Sequence, residues 1–303
     1  FITAALMLTA FISIEQRAEH PMLPLKFFRN RDFTGSVVVI GLMVFAGPAT
    51  FFFLTQFFQL VQGRDPFEAG LLILPNAGAI IVASAIAPAL TAKIGPKRIV
   101  MAAVAVMALA AALFAGIQSD WTATQEIGVI MLFGFGFGLG MPALTDSIMA
   151  SVPVEDAGVG SAVNDVSREL GSALGIAVLG SYISGVYRGN VDEVLSDQVD
   201  EGVIEVAQEG LGVLAGQSAS LSPDVAQTAF AGATGAFVDA MNSGFWLSAA
   251  VLAGGVAVAA AMLPNTARAT QVERSDDVDL TDLDPGGDLD ERLVPALAPV
   301  AGD

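Results

Sequence analysis

Apolar residues in this chain fall into long, almost unbroken runs rather than the one-sided stripe of a half-exposed helix. The runs cover residues 33–60, 67–91, 99–117, 127–150, roughly 160–186 and 245–263. A hydrocarbon core about 30 Å thick takes roughly 20 helical residues to cross, so the pattern predicts five or six membrane-spanning helices. The first fourteen residues would reach only about 21 Å as a helix and read as the end of a truncated span. The chain opens at Phe1 inside that run, with no initiator Met and no charged leader, and is expected to be a fragment that lacks its N-terminal part.

Between the runs lie polar stretches of two kinds. Residues 15–32 carry Arg17, Lys26, Arg29 and Arg31 around Pro21 and Pro24 and predict a connector in water. Residues 188–243 are too polar to enter a bilayer, although 203–214 and 225–238 keep helical apolar spacing, which predicts an acidic outer-surface loop with one or two amphipathic helices. The predicted order is therefore a truncated span over 1–14, the connector 15–32, five spans within 33–187, the loop 188–243, a last span over 244–263, and an acidic tail over 264–303 that is expected to be disordered.

With 54% apolar and only 15% charged residues among 303, composition excludes an ordinary soluble domain and points to an all-α polytopic membrane protein. The net charge of -18 does not alter that reading, because nine acids lie in 189–243 and ten in 264–303. Basic residues fix the sidedness. If the 15–32 connector is cytoplasmic, eleven of the thirteen Lys and Arg lie inside and only Arg64 and Arg188 outside, as the positive-inside rule requires. A multi-pass protein of the cell membrane with a cytoplasmic C-terminal tail is expected.

Four motifs in order resemble the C-terminal half of a major facilitator superfamily transporter, and more narrowly the fourteen-span drug:proton antiporter-2 family. They are HPMLPLKFFRNRDF over 20–33; Gln59-x3-Gly63-x2-Pro66-x2-Ala69-Gly70-Leu71-x2-Leu74-Pro75; the basic turn Lys93-x-Gly95-x-Lys97-Arg98; and the run from Pro153 to Gly180 through Asn164, Arg168, Gly171 and Gly175. The resemblance implies a six-helix bundle preceded by the end of another span, with a missing N-terminal half of the same chain as its partner. It also implies a gating role for Lys93, Gly95, Lys97 and Arg98. The turn departs from the superfamily pattern, since Pro88 stands where Gly is expected and Ala92 where Asp is expected.

Asn164, Asp165, Arg168 and Glu169 are the densest polar cluster in an apolar segment. Asn164 and Arg168 are four apart, as are Asp165 and Glu169, so each pair is predicted to share a helix face. Two readings stand: a carboxylate that exchanges protons or faces a cationic substrate, because an ionisable group inside a span is costly to keep without a use, or an anchor at the membrane boundary, because 170–186 nearly spans the bilayer alone. Asp146 has the same two readings. Gln56, Gln59 and Asn76, with Asn164 and Arg168, are substrate-path candidates, and interhelical hydrogen bonding is the rival use. Gly134 and Gly138, like Gly171 and Gly175, are four apart and predict close helix packing. Phe51, Phe52, Phe53, Phe57 and Phe58 would suit flat hydrophobic cations if they faced a cavity, but most are expected to face lipid.

One histidine, no cysteine and no GxxxxGK[ST] loop leave no material for a metal centre, a hydrolytic triad or a phosphate cradle. Neither enzyme activity, a cofactor nor a nucleic-acid partner is expected. The expected function is proton-driven export of hydrophobic or cationic drugs, with the lipid bilayer, protons and a small-molecule substrate as partners. The alternatives are an exporter of one metabolite or natural product, and a membrane scaffold or receptor that uses the outer loop.

Overall fold

A computed structural model describes residues 2–15 and 25–264. Connector residues 16–24, with Arg17 and His20, and the tail 265–303, with Arg268, Arg274 and Arg292, lie outside the described residues, so the expectation of a disordered tail is not addressed by it. Among the described residues the regular structure is helical: α1 (Ile2–Glu15), α2 (Arg31–Gln56, continued by a π-helical turn Phe57–Val61), α3 (Pro66–Ile94), α4 (Pro96–Phe114), α5 (Ala123–Ala150), α6 (Ala157–Leu195), the short α7 (Glu201–Glu209) and α8 (Leu211–Gln217), and α9 (Pro223–Met262). Six of them, α2 to α6 and α9, are long and apolar enough to cross a membrane.

Local chemistry sets where these helices start and stop. The Asn30 side chain accepts the Asp32 N–H at 3.0 Å and begins α2. Asp65 accepts the N–H groups of Phe67 and Glu68, with Pro66 in the first position, where its missing N–H leaves no bond unmade. Gly95, at φ +87°, closes α3 in a conformation other residues adopt only with strain, and Pro96 opens α4. Thr122 and Gln125 form a reciprocal capping box at the start of α5.

The spanning helices fall into two groups of three in chain order, α2–α3–α4 and α5–α6–α9. Three is odd, so the second group starts from the opposite end of the bundle. Exchanging the groups maps the main contacts onto one another: α3 packs on α5 as α6 packs on α2, α4 packs on α5 as α9 packs on α2, and α4 and α9 pack together. The bundle is thus a pair of inverted three-helix repeats.

Glycine sets the closeness of the main pairs. A Cβ on Gly138 would lie 2.5 Å from the carbonyl oxygen of Ile80 on α3, and one on Gly136 would lie 2.7 Å from that of Ala103 on α4. On α6, a Cβ at Gly171 would lie 2.5 Å from the Gly41 oxygen, and one at Gly175 would overlap the Phe45 carbonyl. Each contact is backbone against backbone. Ser84 adds a hydrogen bond to the Gly138 oxygen at 3.1 Å.

Two sequence expectations are corrected. Phe53, Phe57 and Phe58 are buried in the core and Phe51 packs against it, so only Phe52 of the five is exposed, at 62%. The run is apolar on all sides, which hides its facing. The stretch 188–243 is also helical for most of its length: α6 continues past Tyr187 to Leu195, and α9 begins at Pro223, well before the expected 244. Charged residues mark where a helix meets water, and a helix persists there without difficulty.

One end of the bundle carries Lys26, Arg29, Arg31, Lys93, Lys97, Arg98 and Arg168; the other carries Arg64 and Arg188 beside the acids of 189–243. They are called here the basic and acidic ends. Gly171→Ala and Gly175→Ala are each expected to destabilise the protein by about 1–3 kcal/mol through overpacking. Gly180→Ala, whose Cβ meets open space, is expected to stay within about 0.5 kcal/mol of the parent. Thermal melting of the detergent-solubilised protein, read by the size-exclusion peak that survives heating, checks both.

Candidate functional site

The polar cluster of α6 lies in its first turns, at the basic end. Asn164 is buried toward α5, where Thr145 Oγ1 donates to its Oδ1 at 3.4 Å. Asp165, Arg168 and Glu169 are exposed and form no ion pair among the described residues. Asn164 and Arg168 therefore do not present to the same neighbour, although four residues separate them. Asp146, near the end of α5, is also exposed at the basic end. All three candidate carboxylates sit on the surface of this bundle, within reach of whatever covers it.

Asn76 occupies the α3–α5 contact, with its Oδ1 buried against the bare Cα of Gly134 and without a hydrogen-bond partner. Only a residue without a side chain leaves room for it there. Gln56, the last residue of α2, and Gln59, in the π-helical turn, are half-buried at the acidic end. In the basic turn Lys93 and Arg98 are exposed, Lys97 is half-buried, and the Gly95 N–H closes α3 on the Thr91 oxygen at 2.9 Å. None of the three cations has an acidic partner among the described residues.

The most buried charge escaped the sequence reading. Glu126, in the first turn of α5, has no exposed surface. Arg64 Nη2 lies 2.9 Å from its Oε2 with only 20% of the arginine side chain exposed, and Gln62 Nε2 donates to its Oε1 at 2.5 Å. The Arg64 guanidinium also stands 5.5 Å over the Phe58 ring. The α2–α3 loop is thereby tied to the start of α5, where the helix dipole favours a carboxylate. A signal was present: Glu126 precedes Ile130 and Phe133 by four and seven residues, and both face the core.

Exchange of the two repeats carries the α2–α3 loop to the α5–α6 loop and the start of α5 to the start of α2. An ion pair stands there too, Lys26 to Asp156 at 3.7 Å, with 67% and 29% of the side chains exposed. Among the described residues, each end of the bundle shows an ionic tie between repeats, buried at the acidic end and solvated at the basic end. Among the described residues no group of His, Asp and Glu could hold a metal ion.

Sequence comparison agrees with this architecture. The profile described as Major Facilitator Superfamily matches residues 4–176. The multidrug efflux pump LfrA of Mycolicibacterium smegmatis is 29% identical over 182 residues, 60% of this chain and 36% of that protein. The methyl viologen resistance protein SmvA of Salmonella typhimurium is 29% identical over 240 residues, 78% of this chain and 48% of its own. The lincomycin resistance protein of Streptomyces lincolnensis is 33% identical over 228 residues, 74% and 45% of the two chains. The chain spans less than half the length of each.

Breaking the buried tie from one side strands a charge. Glu126→Gln and Arg64→Gln are each expected to destabilise by about 3–5 kcal/mol, and the paired replacement by leucines by much less than their sum. Lys26→Gln is expected to cost no more than about 1 kcal/mol. A double-mutant cycle on thermal or denaturant unfolding checks these values.

Proposed function

The chain belongs to the major facilitator superfamily, and from that premise we propose that it forms the C-terminal bundle of a proton-driven exporter of hydrophobic or cationic small molecules. The observation that carries the reading is the pair of inverted three-helix repeats, the arrangement that lets one half of a transporter rock against another around a site near the membrane midplane. The names of the relatives, which concern efflux and resistance, support the direction and the class of cargo. A fourteen-span protein is the proposed whole, with an N-terminal half covering the exposed apolar faces of α3 and α6, where Leu71, Leu74, Leu170 and Leu174 stand uncovered.

The basic end is proposed to be cytoplasmic, since of the nine described Lys and Arg seven gather there; the segment after α9 then leaves on the same side. The cell membrane is the proposed location. Asp165, Glu169 and Asp146 are the proposed proton-exchanging carboxylates, because their exposure leaves them open to protonation. Gln56 is proposed to line the path, and the unpaired cations of the 93–98 turn to meet anionic lipid headgroups or an acid of the other half. Similarity to a lincomycin resistance protein favours a narrower second reading, export of a single natural product.

The test uses the full-length protein in an efflux-deficient host, with accumulation of a fluorescent dye followed with and without an uncoupler. Extrusion that stops on adding the uncoupler is expected, and extrusion that persists on ATP alone ends the proposal. Asp165→Asn and Glu169→Gln are each expected to abolish extrusion at normal expression. Normal extrusion by both makes the cluster a boundary anchor.

A further inference from the structure

At the acidic end, away from the α6 carboxylates, α2, α6, α9 and the α7–α8 turn enclose a cavity of about 280 Å³. One wall is a chain of four rings. Phe52 meets Phe53 at 5.3 Å, Phe53 meets Phe237 at 6.4 Å, and Phe237 meets Tyr187 at 6.2 Å, centroid to centroid. Phe53, Phe237 and Tyr187 are buried, so the wall is held by the core, whereas Phe52 stands free at the mouth. The Tyr187 hydroxyl donates to the Ala207 carbonyl at 2.8 Å and fixes the end of α7 over the opening. Gly210, at φ +149°, then turns the chain into α8.

Two charges of opposite sign line the same cavity, Arg188 from α6 and Glu209 from the last turn of α7. Neither makes an ion pair among the described residues, with the other or with a third group. A second hollow of about 500 Å³ runs along α6 from Ile176 past Ser181 and shares Gly180, Ser184 and Arg188 with the first. The cavity is therefore continuous with the face of α6 that this bundle leaves uncovered.

We infer that this cavity is a binding site for aromatic molecules that carry both an ammonium group and a carboxylate or carbonyl acceptor. The ring wall, whose neighbouring rings are inclined at 46° to 79° to one another, supplies apolar ring faces and edges and attraction for a cation. Glu209 takes the ammonium and Arg188 the acceptor, each through a charge-assisted hydrogen bond. Asp192, whose Oδ1 lies 3.5 Å from the amide of the lining residue Gln208, adds a negative charge beside the cavity and raises the local concentration of cations. A molecule lacking the acceptor leaves Arg188 unpaired beside its own positive charge. The purpose of the site, a station on the outward path, rests on the exporter reading; its existence does not.

The experiment measures equilibrium binding of norfloxacin, a fluorescent aromatic zwitterion, to the intact protein in nanodiscs with no gradient imposed. Glu209→Gln and Arg188→Gln are each expected to weaken binding about tenfold, Phe52→Ala to weaken it less, and Glu193→Gln, outside the cavity, to leave it unchanged. For ethidium, a cation without the acceptor, Arg188→Gln is expected to leave binding equal or tighter. Ser184→Cys places a thiol at the cavity, and norfloxacin is expected to slow the maleimide labelling that this variant gains over the unsubstituted protein.

Unchanged norfloxacin affinity in both charge variants, no protection of the thiol, or no norfloxacin binding by the parent would each overturn the site. Uncoupler-sensitive efflux is a separate readout. Efflux absent with the binding pattern intact removes the exporter reading alone, and efflux present with binding indifferent to the variants removes the site alone.

Discussion

Direct contact between helix backbones at glycine is what the rest of this bundle depends on. Inside a bilayer no hydrophobic effect drives one apolar helix onto another, because lipid is as apolar as leucine; van der Waals packing and a few interhelical hydrogen bonds must suffice. Dispersion falls away steeply with distance. Helices that touch at bare Cα atoms therefore gain contact along their whole length. Gly134 and Gly138 give α5 that approach to α3, Gly136 gives it to α4, and Gly171 and Gly175 give it to α6 on α2. Asn76 fits the α3–α5 seam only because its neighbour has no side chain.

This arrangement explains what could be read from the chain alone. Long apolar runs state how many times the chain crosses, and the distribution of Lys and Arg states which ends lie together, so α2 to α6 and α9 were legible at once. Facing was not. A helix that is apolar all round carries no stripe to orient it, and Phe53, Phe57 and Phe58 look in sequence like Phe52, although three are core and one is exposed. Helix ends were misjudged over 188–243 for a related reason, since the change from apolar to charged residues records the water boundary and not the end of the hydrogen-bonded turn.

The candidate site was legible in part. Asn164, Asp165, Arg168 and Glu169 were found because charge within an apolar run is conspicuous, yet their spacing did not reveal that Asn164 turns inward while its neighbours stay outside. Glu126 was missed for the opposite reason. An acid in the first turn of a helix after a capping box is ordinary, and only its alignment with Ile130 and Phe133 set it apart. Its partner Arg64 comes from a loop, where no periodicity advertises direction.

The two ionic ties leave the bundle mechanically lopsided. Where Arg64 holds Glu126 out of water, parting the repeats means exposing two charges at once, so that rim behaves as a stiff collar whose strength salt hardly touches. Where Lys26 reaches Asp156 across solvent, ions and water stand ready to replace either partner, and the rim yields to small forces. The weaker tie thus stands at the rim that also carries Pro142 of α5 and the three surface carboxylates.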